Sequence, residues 1–109
     1  MDIDALQDRL RQFARTRNRE KYHDPKNLLM ALAIEAAELM EIFQWLTPHE
    51  SKSIMNSKDD VEHVEDEVAD VFIYLLRMVE SLDIDLEQVA IRKMEKNAEK
   101  YPAPSRDPA

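Results

Sequence analysis

Two acidic pairs lie where a chain of this kind does not ordinarily place charge. Glu35 and Glu38 fall inside the apolar run ALAIEAAELMEIFQWL (31–46), and Glu67 and Asp70 open EVADVFIYLL (67–76). Each pair is spaced i, i+3, which on a helix sets the two Cβ atoms about 5–6 Å apart. Glu35 shares a stripe with Leu28, Leu32, Leu39 and Ile42, Val64 and Val71 flank Glu67, and Tyr74 follows Asp70 by one turn. Carboxylates gathered beside apolar stripes raise one another's pKa unless a cation intervenes. An oxygen-only donor set suits Mg²⁺ or Mn²⁺. A di-iron bundle would instead carry Glu-x-x-His on two helices; the only such spacing here is Glu20 to His23, in a polar connection. The competing reading is a solvated helix face. With 23 acidic residues such pairs arise by chance, and Glu38/Glu41, Asp59/Glu62 and Glu62/Glu65 fit that description. Spacing alone favours the solvated face; placement in apolar stripes on two helices brings the readings level.

The elements that must position these residues are helical throughout. Ile3, Leu6, Leu10 and Phe13 mark one buried stripe, predicting a helix over 3–17 with Asp2 as its N-cap. The basic connection RTRNREKYHDPKN follows, closed by Asp24-Pro25, where Pro25 suits a first helical turn. A second helix is predicted over 26–46. Thr47, Pro48 and Glu50 form a capping box that opens a short helix, and Ser57 is placed as the cap of a third long helix over 58–82. The fourth starts at Asp85, with Gln88 completing a second box and Ile84 stapled to Val89, and stops before Pro102. The pattern predicts an all-α four-helix bundle, one domain over 1–102, and a disordered Pro-rich tail over 103–109.

Composition narrows the chemistry. The 109 residues suit one core, 44% of them are hydrophobic, and 35% are charged for a net charge of −8. That balance argues against a nucleic-acid polymer as partner, because phosphate binding needs clustered cations. There is no cysteine and no glycine, so thiol chemistry and glycine-based phosphate loops are excluded. The polar start MDIDALQDRL and the lack of an 18-residue apolar run predict a cytoplasmic protein with no membrane segment.

Three stretches, HDPKNLLMALAIEAAELMEIFQWL, EDEVADVFIYLL and KMEKNAEKYP, resemble the MazG-like all-α nucleoside triphosphate pyrophosphohydrolases, in particular the dCTP pyrophosphatase branch. The likeness runs from Arg17 to Pro102. The family's metal signature, Glu-x-x-Glu followed by Glu-x-x-Asp, falls on Glu35, Glu38, Glu67 and Asp70. The resemblance implies hydrolysis of a nucleoside triphosphate to monophosphate and pyrophosphate with Mg²⁺ bound by those four residues, Mn²⁺ being a possible substitute. It further implies phosphate or sugar contacts from Lys93 and Asn97 with Tyr101 beside them, nucleotide contacts from Trp45 and Tyr74, and a pocket border at His23, Lys26 and Asn27. Plain alternatives stand beside these: a solvated lysine stripe on the fourth helix, ordinary core packing for the aromatics, and a capping role for His23. Arg9, Arg11, Arg15, Arg17, Arg19 and Lys21 either steer a triphosphate inward or form a solvated face.

Two positions depart from the pattern. Arg19 stands where the dCTP-preferring branch carries a Trp, which counts against cytosine preference. Ile34 stands where many relatives have a second Glu, leaving the proton acceptor unassigned. Apolar faces including Ile73, Leu75, Leu76, Val79 and Leu82 exceed what one small bundle covers, so a homotetramer or homodimer is expected, in agreement with the family's habit. A house-cleaning hydrolase is the leading expectation, and a non-catalytic helical interaction module is the alternative.

Overall fold

The computed structural model describes residues 1–19 and 24–104. They form α1 (Ile3–Thr16), α2 (Pro25–Phe43), α3 (Pro48–Ser51), a 3-10 turn (Ile54–Asn56), α4 (Lys58–Ser81) and α5 (Leu86–Lys100), with no strand among the described residues. The all-α class and the four long helices agree with the sequence pattern. Helix α2 ends three residues before the predicted Leu46. The expected disorder of the tail beyond Pro104 lies outside the described residues.

Side-chain caps set the starts. Asp2 accepts from Ala5 N at 2.9 Å, Asp24 from Asn27 N at 2.9 Å and Asp85 from Gln88 N at 3.2 Å. The Thr47 box closes both ways, with Glu50 N donating to Thr47 Oγ1 at 3.1 Å and Thr47 N to Glu50 Oε1 at 2.9 Å. Ser57 occupies the N-cap position of α4, but its side chain makes no capping bond. The ends show how a glycine-free chain stops a helix. Asn18 and Asp83 take left-handed backbone, at φ 55° and 56°. Arg19 N then reaches Ala14 O at 2.9 Å, and Ile84 N reaches Val79 O at 2.8 Å. These are Schellman closures, in which short polar side chains replace the usual glycine.

Packing centres on α4. Helix α2 lies along it as the principal pair, and α1 packs on it less extensively. The buried hydrophobics Ala14, Leu28, Val64, Leu76 and Val79 come from these three helices. Gln7 Nε2 donates to Leu76 O at 3.3 Å, and Arg11 bridges Asp8 and Glu80, tying α1 down. Leu76 and Val79 are therefore core residues, 1% and 4% exposed, and not the surface face expected of them. Leu82 is exposed as expected, and further exposed apolar surface lies on Leu29, Met30, Ile34, Met40, Val68, Ile91 and Met94. Helix α5 makes no packing of similar extent with the rest, and all of its residues past Ala90 are exposed.

Candidate metal centre

Side-by-side packing of α2 and α4 brings the two acidic pairs together. Glu35, Glu38 and Glu67 each offer a carboxylate oxygen, and these oxygens lie within 4.8 Å of one another. Glu35 and Glu67 are half-buried and Glu38 is exposed. Leu28 on α2 and Val64 on α4, which share stripes with Glu35 and Glu67, are buried. His63, one turn before Glu67, brings Nε2 to 4.0 Å from Glu67 Oε1. Asp70 stands one turn beyond Glu67. It is not among the three mutually close groups, yet its charge acts on Glu35.

The electrostatics of the cluster favours a neutralising charge. Burial pushes the Glu35 carboxyl up to about 7, helped by side-chain hydrogen bonding with Glu67 and Glu38 and by the charges of Glu38 and Asp70. Glu35 Oε2 and Glu67 Oε2 are buried without a hydrogen-bond partner, although buried polar atoms are nearly always paired. Mg²⁺ takes oxygen ligands at about 2.1 Å, so carboxylates that share one ion must lie within a few ångströms of one another. The three oxygens, all within 4.8 Å of one another, meet that requirement of proximity. The donor set, the spacing and the two orphaned oxygens fit a hard divalent cation.

The other sequence-predicted residues divide. Tyr74 is half-buried and lines a groove between α1 and α4 together with Asp70. Trp45 is 86% exposed just past the end of α2, so the core-packing alternative does not apply to it within a protomer. Lys26 is exposed at the start of α2. Asn27 is engaged in the cap, donating Nδ2 to Asp24 Oδ2 at 2.6 Å. Lys93, Asn97 and Tyr101 are exposed on and after α5, a helix that packs less extensively than α1 and α2 on the described chain. Tyr101 closes that helix, its N–H reaching Asn97 O at 2.8 Å. His23 and Lys21 lie outside the described residues. Within the basic cluster, Arg11 is committed to Asp8 and Glu80, and Arg17 covers the Phe13 ring at 3.8 Å. Arg9 and Arg19 line the α1–α4 groove.

Sequence reasoning passed over Arg77, which lines that groove too. The signal was present: Arg77 follows Tyr74 by three positions and Asp70 by seven, on one helical face.

Residues 30–108 match the MazG-like family. The chain is 38% identical over 92 residues to human dCTP pyrophosphatase 1 and 37% identical over 91 residues to the mouse protein of that name, in each case across 84% of this chain. It spans about half, 54%, of the length of those relatives. A crystal structure of a pyrophosphatase from Archaeoglobus fulgidus superposes with a TM-score of 0.86 at 42% identity, covering 94% of each chain. The chain belongs to the MazG-like family.

Proposed function

We propose that the protein hydrolyses nucleoside triphosphates to monophosphate and pyrophosphate with a divalent cation, Mg²⁺ or in its place Mn²⁺. The observation that carries this reading is the convergence of Glu35, Glu38 and Glu67 on one another with two buried oxygens lacking any donor. Its support from outside the chain is that the relatives are named for dCTP pyrophosphatase and pyrophosphatase activity. Glu35, Glu38 and Glu67, with Asp70 beside them, would hold the ion. When bound, such an ion neutralises phosphate charge in an acidic protein and promotes attack by water. In the net step, water adds across the α–β phosphoanhydride. One oxygen stays with the nucleoside monophosphate, and pyrophosphate departs.

The substrate contacts expected from Lys93, Asn97, Tyr101 and Trp45 require a partner surface, because one protomer leaves these side chains in solvent. A homodimer or homotetramer would supply it by laying α5 of one copy against another. Lys26 and Asn27 would border the pocket, and Tyr74 would lie beside the nucleotide; the same expectation for His23 falls outside the described residues. No helix among the described residues is long and apolar enough to cross a membrane. Removal of non-standard or excess nucleotides in the cytoplasm is the role that fits.

Incubating the protein with a panel of ribo- and deoxynucleoside triphosphates tests the reading. The expected products are monophosphate and pyrophosphate in equal amounts, only with Mg²⁺ or Mn²⁺, falling at least a hundredfold in Glu38→Gln and in Asp70→Asn. Release of single phosphates, or turnover that survives chelation, contradicts it. Unchanged melting of the protein with Mg²⁺ and nucleotide would favour a non-catalytic helical module.

A further inference from the structure

Helix α2 is apolar on two sides, and α4 covers one of them. Leu28, Leu32, Leu39 and Ile42, on the stripe with Glu35, are buried or half-buried along α4. On the opposite side Leu29, Met30, Ala33, Ile34, Ala37 and Met40 are exposed, and each of the four larger side chains keeps about half of its surface or more in solvent. Their spacing in steps of three and four residues makes them one continuous stripe. A helix apolar all round belongs in an interior, and a contiguous apolar face left in solvent marks an interaction site. The stripe has charges only at its ends. Lys26 precedes it and Glu41 follows it on the same side, both exposed, about 22 Å apart at about 1.5 Å of rise per residue.

A second copy of the same helix fits this surface. Run antiparallel, the two stripes cover each other, and Lys26 of each copy meets Glu41 of the other. Run parallel, they would set lysine against lysine and glutamate against glutamate, which is costly. Ala33 and Ala37, near the middle, let the two helix axes approach closely. The area is sufficient. The accessible surface of 9120 Å² exceeds the roughly 6,300 Å² of a monomer of this mass by more than the roughly 800 Å² that each partner buries in a stable complex. We propose that the outward face of α2 is a self-complementary interface, occupied by α2 of a second copy packed antiparallel about a two-fold axis. The interface stands apart from the hydrolase reading and from the contact expected of α5. It holds the helix that carries Glu35 and Glu38 from both sides, by α4 within the protomer and by the partner helix across the axis.

The chain has no cysteine, so introduced thiols report only the designed contact. Under diamide, Ala33→Cys, close to the two-fold axis, should oxidise to a covalent dimer. An equal mixture of Leu29→Cys and Met40→Cys proteins should give the mixed dimer and little of either homodimer, because bridging needs Cα atoms within about 7 Å of each other. In sedimentation equilibrium, Lys26→Glu and Glu41→Lys should each weaken self-association by about fivefold, and the two changes together should restore it to within about twofold. Both single changes suit the helix dipole, and circular dichroism checks that each variant folds. Homodimers of Leu29→Cys or Met40→Cys in place of the mixed species indicate a parallel pair and overturn the proposal. So do thiols at all three positions that never cross-link, charge variants that sediment like the parent, or cross-linking of these thiols to one placed by Met94→Cys, which would put α5 on this face. Each of these results leaves nucleotide turnover, scored separately with Mg²⁺, to decide the hydrolase reading.

Discussion

Glu35 carries the sharpest consequence of the site. Its carboxyl is raised from 4.5 to about 7 chiefly by burial, so the folded state binds more protons than the unfolded chain between those pH values. Stability from this group is full below about pH 4.5 and is lost as pH rises through about 7. The melting temperature of the metal-free protein, measured against Glu35→Gln, should therefore fall more steeply between pH 5 and pH 7.5. At pH 8 Glu35→Gln should be more stable than the parent by about 1–2 kcal/mol, because one of several repelling carboxylates is gone. Mg²⁺ should raise the parent's melting point, by about 2.7 kcal/mol of stability at a hundred times its dissociation constant, and should leave Glu35→Gln nearly unmoved. A parent that ignores Mg²⁺ at every pH contradicts the metal assignment.

At the scale of the elements, the helix ends hold stability in reserve. Asn18 and Asp83 occupy left-handed positions that glycine takes without steric cost. Asp83→Gly should stabilise the fold by about 0.5–1 kcal/mol, read from a denaturant midpoint with unchanged slope. Asn18→Gly should act similarly, because it occupies the same left-handed position at the end of α1. The capping residues Asp2, Thr47 and Asp85 could be read from side-chain type and spacing, because a cap is a local device spanning three residues. Ser57 shows the limit of that reading: its position is right, but its hydroxyl makes no capping bond.

The whole molecule is open for its size. Its radius of gyration is 18.2 Å, against about 13 Å for a compact chain of this size. Its accessible surface is 9120 Å², against about 6,300 Å² for a monomer of this mass. Ile91 and Met94 on α5 are 51% and 69% exposed, as an association surface would be. Sedimentation at micromolar concentration should give a dimer or tetramer, and the paired change Ile91→Asp with Met94→Asp should release monomers and lower activity together. A monodisperse, active monomer would refute the shared-site arrangement.

The sequence by itself determined the helices, their polar starts and the two acidic pairs, because caps, stripes and i, i+3 spacings are settled within one or two turns of chain. It could not decide which apolar residues face inward. Leu76 and Val79 looked like surplus surface, yet the approach of α1 makes them core, a contact between residues about 70 positions apart, as in Gln7 to Leu76. Nor did it separate Asp70 from the three closer carboxylates or mark Arg77 as part of a groove. Both depend on the angle and offset at which α1 and α2 settle on α4, which is set by packing across the whole assembly of helices.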